Sequence, residues 1–156
     1  MSTDQNSSDI DHFDLQILDI LSKEGRIPIT ALAKRINLSK SPCQVRFNRL
    51  CDEGYILGFR AVLNPQSLKK EHVAFTEVKL SNTTEKALAS FNEEVWKIPE
   101  VEQCHLIAGS FDYLLKVRTR NIRDYRRVLG EAISTLPYVS SSSTHVAMQS
   151  VKDFAM

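Results

Sequence analysis

Ser41, Gln44, Val45, Asn48 and Arg49 are the residues of this chain best suited to a specific chemistry, the reading of base edges. Glutamine and asparagine can each bond bidentately to adenine, arginine can do so to guanine, and valine can rest on a thymine methyl. At about 100° per residue Ser41, Val45, Asn48 and Arg49 fall on one side of a helix, with Gln44 on its flank. Cys43, Phe47 and Leu50 fall on the other side and supply an apolar anchor. Lys40 stands at the helix start, where open backbone N–H groups favour a phosphate oxygen. Arg46 lies nearer the apolar edge, in a phosphate-binding or structural place.

A side chain can enter the major groove only if its helix is held at a fixed angle, and the preceding residues supply the holder. Pro28 suits the first position of a short helix, because its missing N–H has no partner to lose there. Leu32, Ala33 and Ile36 recur at three- and four-residue spacing on one face. Asn37 then favours the left-handed backbone that turns a chain sharply, and Leu38 can bury in the corner. The reading helix opens at one of two serines. Ser41-Pro42-Cys43-Gln44 makes a capping box, whereas a cap at Ser39 keeps Pro42 inside the first turn. Two short helices meeting at such a corner make a helix-turn-helix.

Charge agrees with a polyanionic partner. Residues 26–60 carry seven Lys and Arg against two acidic residues, while residues 1–25 carry one Lys against six. The whole chain has a formal net charge of only +1, so the local clustering is what points to phosphate. With 156 residues, 42% hydrophobic and 25% charged, the chain has globular composition and room for two small domains. Cys43, Cys51 and Cys104 show no C-x-x-C spacing, which fits reduced thiols in a cytoplasmic protein. Neither a secretory leader nor an apolar run of membrane-spanning length is present, so no membrane partner is expected. The leader MSTDQNSSD, residues 1–9, is polar enough to form a disordered tail.

The remaining elements fall into two groups. Asp11 to Glu24 is amphipathic, with Phe13, Ile17, Ile20 and Leu21 inward, and Tyr55 to Leu63 alternates as a short pair of strands. Residues 10–63 thus form a winged helix-turn-helix domain, and Asn64 to Glu71 a hinge. From His72 the order is strand 72–80, helix 84–98, strand 101–107, strand 112–119, helix 121–136 and strand 139–151. This β-α-β-β-α-β order over 72–156 is ferredoxin-like, giving an α+β protein. Helices on one sheet face leave the other to be covered, and a second copy of the chain would cover it in a two-fold dimer.

Two stretches, LDILSKEGRIPITALAKRINLSKSPCQVRFNRLCDEGYILGFRAVLNP and EQCHLIAGSFDYLLKV, resemble the leucine-responsive regulatory protein/AsnC family of bacterial transcription regulators. The resemblance spans nearly the whole chain. It implies a helix-turn-helix at about residues 29–48 that binds double-stranded DNA, and a second domain that senses an amino acid or related metabolite. Dimers that assemble further, up to octamers, are implied as well, with the amino acid as effector and no other cofactor. Carried over by local matching, the effector pocket lies between subunits and is lined by Leu106, Gly109, Asp112, Ile122, His145 and Val146. The chemistry fits: Gly109 permits close approach, Asp112 can pair with an α-ammonium, and Leu106, Ile122 and Val146 offer apolar contact. Asp112 can equally cap a turn, and His145 can equally be a solvent-facing edge residue. His145 stands where the leucine-responsive type has an aromatic residue, so this chain departs from the leucine pattern.

Two other classes compete. An enzyme subunit similar to siroheme decarboxylases would share the two-domain plan and use pocket histidines. Cys104 and His105, however, are neighbours on a strand and point to opposite faces, which prevents a nucleophile–base pair. Motifs of the H-E-x-x-H, P-loop and G-x-S-x-G kinds are absent from the sequence. A ligand-binding module without DNA contact is the other alternative, and the basic, capped reading helix argues against it.

Overall fold

The computed structural model describes residues 10–153, and the expected tail of residues 1–9 lies outside the described residues. The chain falls into two compact units, which meet in sequence between Ala61 and Val62.

Among the described residues the first unit has three helices: α1 (His12–Lys23), α2 (Ile29–Arg35) and α3 (Lys40–Asp52). Helix α1 begins with a reciprocal cap, in which Asp11 accepts from the Asp14 N–H and Asp14 accepts from the Asp11 N–H, each at 3.0 Å. Pro28 is the cap of α2, so the helix starts at Ile29, one residue after the expected start. Asn37 takes the left-handed backbone at φ 57°, and the Leu38 N–H returns to the Ala33 carbonyl at 2.9 Å. Ile17, Leu32, Ala33, Ile36, Cys43 and Leu50 form the buried centre of this unit, with Phe47 partly buried against it. Truncating a fully buried leucine such as Leu50 to alanine costs roughly 2–5 kcal/mol.

The expected pair of wing strands is corrected: residues 55–63 carry no strand. Ile56 donates to the Leu50 carbonyl at 3.0 Å and Phe59 stacks on Phe47 at 6.1 Å, so side-chain packing replaces strand pairing. An isolated two-stranded ribbon is marginal in water, and Gly58 at φ 153° breaks the extended run.

The second unit follows the expected order: β1 (His72–Leu80), α4 (Glu85–Val95), β2 (Val101–Leu106), β3 (Tyr113–Thr119), α5 (Ile122–Val128) and β4 (Val139–Val146). A wider π-helical turn, Leu129–Ile133, continues α5. The four strands pair antiparallel in the order β2-β3-β1-β4, so β2 and β4 are the edges. Alternation sends Ala74, Val78, Leu115 and Val117 into the core with Phe91, Tyr125 and Ile133, and Phe91 stacks on Tyr113 at 4.2 Å. The opposite sheet face carries Phe75, Glu77, Lys116 and Arg118. Residues 147–153 run across part of it. Ala147 donates to Val73 at 2.9 Å, and Asp153 bonds Lys116 and Arg118 at 2.5 Å each. Asn64 opens the connecting segment with an Asx turn, accepting from Gln66 and Ser67.

Candidate nucleic-acid interface and effector site

Helix α3 starts after Ser39, whose backbone is extended and whose side chain makes no capping bond. Of the two openings the sequence offers, the one at Ser39 is observed, and the capping box from Ser41 to Gln44 is not formed. Proline at position 42 fits the first turn, where its absent N–H costs nothing, so the helix begins two residues earlier and Gln44 is freed. The Gln44 amide instead donates to the Asn48 side-chain carbonyl at 2.8 Å, across one helical turn.

Lys40, Ser41, Val45 and Asn48 are exposed, with Val45 at 68%, and Gln44 is half-buried beside them. These five form one outward row, while Cys43 and Leu50 are fully buried on the reverse. Pairing the two amides orients both heads, and leaves the Asn48 N–H₂ and the Gln44 carbonyl as a donor and an acceptor matched to adenine.

Arg49 departs from its expected place. Its Nη2 donates to Asp14 Oδ2 at 2.5 Å, while Arg46 Nη1 donates to Asp14 Oδ1 at 2.9 Å and pairs with Asp11 at 2.7 Å. Asp14 is fully buried, and the two guanidinium groups lie over it from α3. Arg49 is thus corrected from base reader to structural partner, because a buried carboxylate attracts the nearest cation more strongly than solvent does. Of the two places open to Arg46, the structural one is observed, with its guanidinium also 5.3 Å above the Phe13 ring. The Asp14 N–H, followed by Arg46, holds the Asp11 carboxyl down at about 2. Sequence reasoning missed Asp14. The signal was present in its place on the stripe Asp14, Ile17, Leu21, all buried at helical spacing.

In the second unit five of the six expected effector residues fall at two separate places. Leu106, Gly109 and Asp112 lie at the β2–β3 turn, level with Val78. Val146 lies opposite Ala74 at the other end of β4, and Ile122 opens α5 beyond the end of β3. From the register Leu106 and Val146 are roughly 14 Å apart across the strands and roughly 13 Å apart along them. One chain therefore does not bring them together. Leu106, Ile122 and Val146 are 60%, 52% and 48% exposed, a high value for large apolar side chains.

Asp112 has a structural task of its own. Its Oδ2 accepts from the Leu80 N–H at 2.7 Å and its backbone N–H donates to Val78 at 3.0 Å, which ties the turn to the end of β1. Gly109 has room for a Cβ, whose nearest neighbour would be Ile107 at 3.6 Å, so nothing within the chain requires glycine there. His145 points to the face opposite Val146 and pairs with Glu77 at 3.1 Å. It is an exposed residue of the edge strand β4, on the other sheet face from Val146.

Nucleophile chemistry finds no support. Burial pushes the Cys104 thiol up to about 11 and raises Cys43 as well, so both stay protonated near neutrality. Among the described residues no cluster of His, Cys, Asp and Glu could hold a metal ion, and no helix is long and apolar enough to cross a membrane.

Comparison with known proteins agrees with this geometry. Residues 10–56 match a winged helix-turn-helix DNA-binding family, and residues 73–156 match the Lrp/AsnC ligand binding domain. The chain is 65% identical to a proline dehydrogenase transcriptional activator of Rhizobium radiobacter, over 98% of each chain. It is 48% identical to a protein of the same name from Rhodobacter capsulatus, over 91% of this chain and 92% of that one. A crystal structure of a Neisseria meningitidis transcriptional regulator in complex with L-Met superposes with TM-score 0.86 at 28% identity, covering 93% of this chain and 94% of that one.

Proposed function

The chain belongs to the Lrp/AsnC family of DNA-binding transcription regulators, and from that premise we propose that it activates a proline dehydrogenase gene in response to proline. The outward row on α3 carries the DNA-binding part: Lys40, Ser41, Gln44, Val45 and Asn48 stand clear of a helix anchored by Cys43 and Leu50. Lys40 and Ser41 meet phosphate, Gln44 and Asn48 read adenine, and Val45 touches a thymine methyl. The named relatives at 65% and 48% identity support proline dehydrogenase as target and its substrate as effector.

The effector pocket forms between two copies. Leu106, Gly109 and Asp112 come from one, and Ile122 and Val146 from the other. Asp112 Oδ2 is engaged by Leu80, and the carboxylate has further lone pairs for an α-ammonium. The three exposed apolar residues bury against the ligand's hydrocarbon body. The protein works in the cytoplasm as dimers or larger rings on partly palindromic sites. Effector binding shifts subunit geometry and so the spacing of the reading helices, for which a coupling of about 1–3 kcal/mol suffices.

The test is a gel-shift titration on the promoter of a proline dehydrogenase gene from the same genome, with and without L-proline. The expected result is a specific shift whose affinity or mobility changes with proline and not with glycine. No shift in either condition would overturn the regulator assignment, and a shift indifferent to proline would overturn the effector.

A further inference from the structure

The second unit carries a strongly basic patch outside the candidate effector site. Arg120, Arg123, Arg126 and Arg127 fall within eight residues, with Asp124 the single acidic residue among them. All four arginines are exposed. Arg123, Arg126 and Arg127 stand at i, i+3 and i+4 on the outer side of α5, because Tyr125 and Val128 occupy its inner side. Arg120 and Arg127 share a cavity of about 300 Å³ with Lys70, so the basic surface continues beyond the helix. Glu100, Glu102 and Asp124 also line that cavity. Even so, none of the four arginines has a carboxylate within ion-pair distance among the described residues. Arg118, also in this unit, is saturated by Glu102 and Asp153.

Such a cluster is unfavourable on its own terms. Arg123 and Arg127 form a like-charge i, i+4 pair, which destabilises a helix. Tyr125 and Val128 explain the helix, and nothing inside the unit explains four unpaired guanidinium groups on it. Guanidinium forks match phosphate oxygens bidentately, and this chain already binds a polyanion through its other unit.

We propose that the arginine face of α5, with Arg120, is a second DNA contact that grips the phosphate backbone without reading sequence. The inference rests on the DNA-binding assignment and adds a surface outside the helix-turn-helix. Its signature is electrostatic. Removing one phosphate-binding arginine should flatten the slope of log affinity against log salt by about 0.9. The weakening should be the same on operator and unrelated DNA, because groups that grip phosphate carry no base information.

The experiment uses the full chain with Arg123, Arg126 and Arg127 all changed to Gln, titrated on operator and unrelated duplexes of equal length at several salt concentrations. A variant with Lys86→Gln on α4 and Lys97→Gln just beyond its end controls for charge removed elsewhere in the unit, and sedimentation velocity checks assembly. Support is a slope flatter by about 2 or more, equal on both duplexes, with the control and the assembly size unchanged. An unchanged slope overturns the proposal and marks the patch as a solvated surface. A flatter slope that appears only with altered assembly, or lost activation with intact DNA binding, overturns it in favour of a subunit or an acidic protein partner. Failure of the unmodified protein to bind any duplex would instead defeat the DNA-binding assignment itself.

Discussion

Asp14 shows how one buried charge divides the labour of a recognition helix. Each of its oxygens takes one arginine of α3, so Arg46 and Arg49 fasten the helix to α1 while Gln44, Val45 and Asn48 stay available for bases. Removing one partner of a buried ion pair costs about 3–5 kcal/mol, because the remaining charges keep their desolvation cost. Asp14→Asn should therefore destabilise the first unit by about 3 kcal/mol or more in urea denaturation. A change below about 1 kcal/mol would show that the triad is not what holds α3. The DNA consequence is equally distinct. Asn48→Ala should relax discrimination at one operator position, costing about 1–3 kcal/mol against the preferred base. Arg49→Ala should weaken all sequences alike by loosening α3, and a base-specific loss there would restore it as a reader. From sequence, helical phase placed Arg49 outward with Asn48. Phase gives a Cα direction, and an arginine is long enough to fold back toward a carboxylate 35 residues away in sequence.

Elements were legible where a local pattern dictated them. The left-handed Asn37, the buried Cys43 and Leu50, and the six elements of the second unit all follow from periodicity and turn chemistry. The pair of strands expected over 55–63 is absent because alternation there describes apolar spacing and cannot supply a partner strand, and Phe59 stacks on Phe47 instead. The segment after β4 was hidden for a related reason, since residues 147–153 lie against Lys116 and Arg118 on strand β3. This strap titrates. Bonding to Lys116, then Arg118, holds the Asp153 carboxyl below its ordinary value. A carboxylate with a lowered folded pKa stabilises above its unfolded pKa and loses that contribution as pH falls through the folded one. The strap should be closed at neutral pH and release only below the usual carboxylate range. Hydrogen exchange at the Ala147 amide, bonded to Val73 when the strap is closed, reports this directly. Asp153→Asn should raise that exchange at neutral pH while leaving β1–β3 amides protected. Equal protection in both proteins would mean that backbone bonding alone retains the strap.

At the scale of the molecule, the separation of the proposed effector residues decides what kind of sensor the proposal requires. Leu106 lies on edge strand β2 with Asp112 at the same end of the sheet, Val146 lies on the opposite edge strand β4 toward the other end, and Ile122 follows β3 at that other end. A pocket that uses both ends belongs to an assembly, so it tests itself by complementation. Asp112→Asn keeps an oxygen to accept from Leu80 and removes the charge for an ammonium, while Ile122→Ala removes the apolar wall. Each variant alone should lose its response to proline. Co-assembled in equal amounts, random association places an intact Asp112 against an intact Ile122 in roughly a quarter of the pockets. A corresponding fraction of proline binding should return, measured by calorimetry after unfolding and refolding the variants together. Recovery needs two chains per pocket, since no mixture of defective single-chain pockets contains an intact one. If the mixture stays as unresponsive as its components, the two ends serve different ligands or none, and sensing resides within one chain.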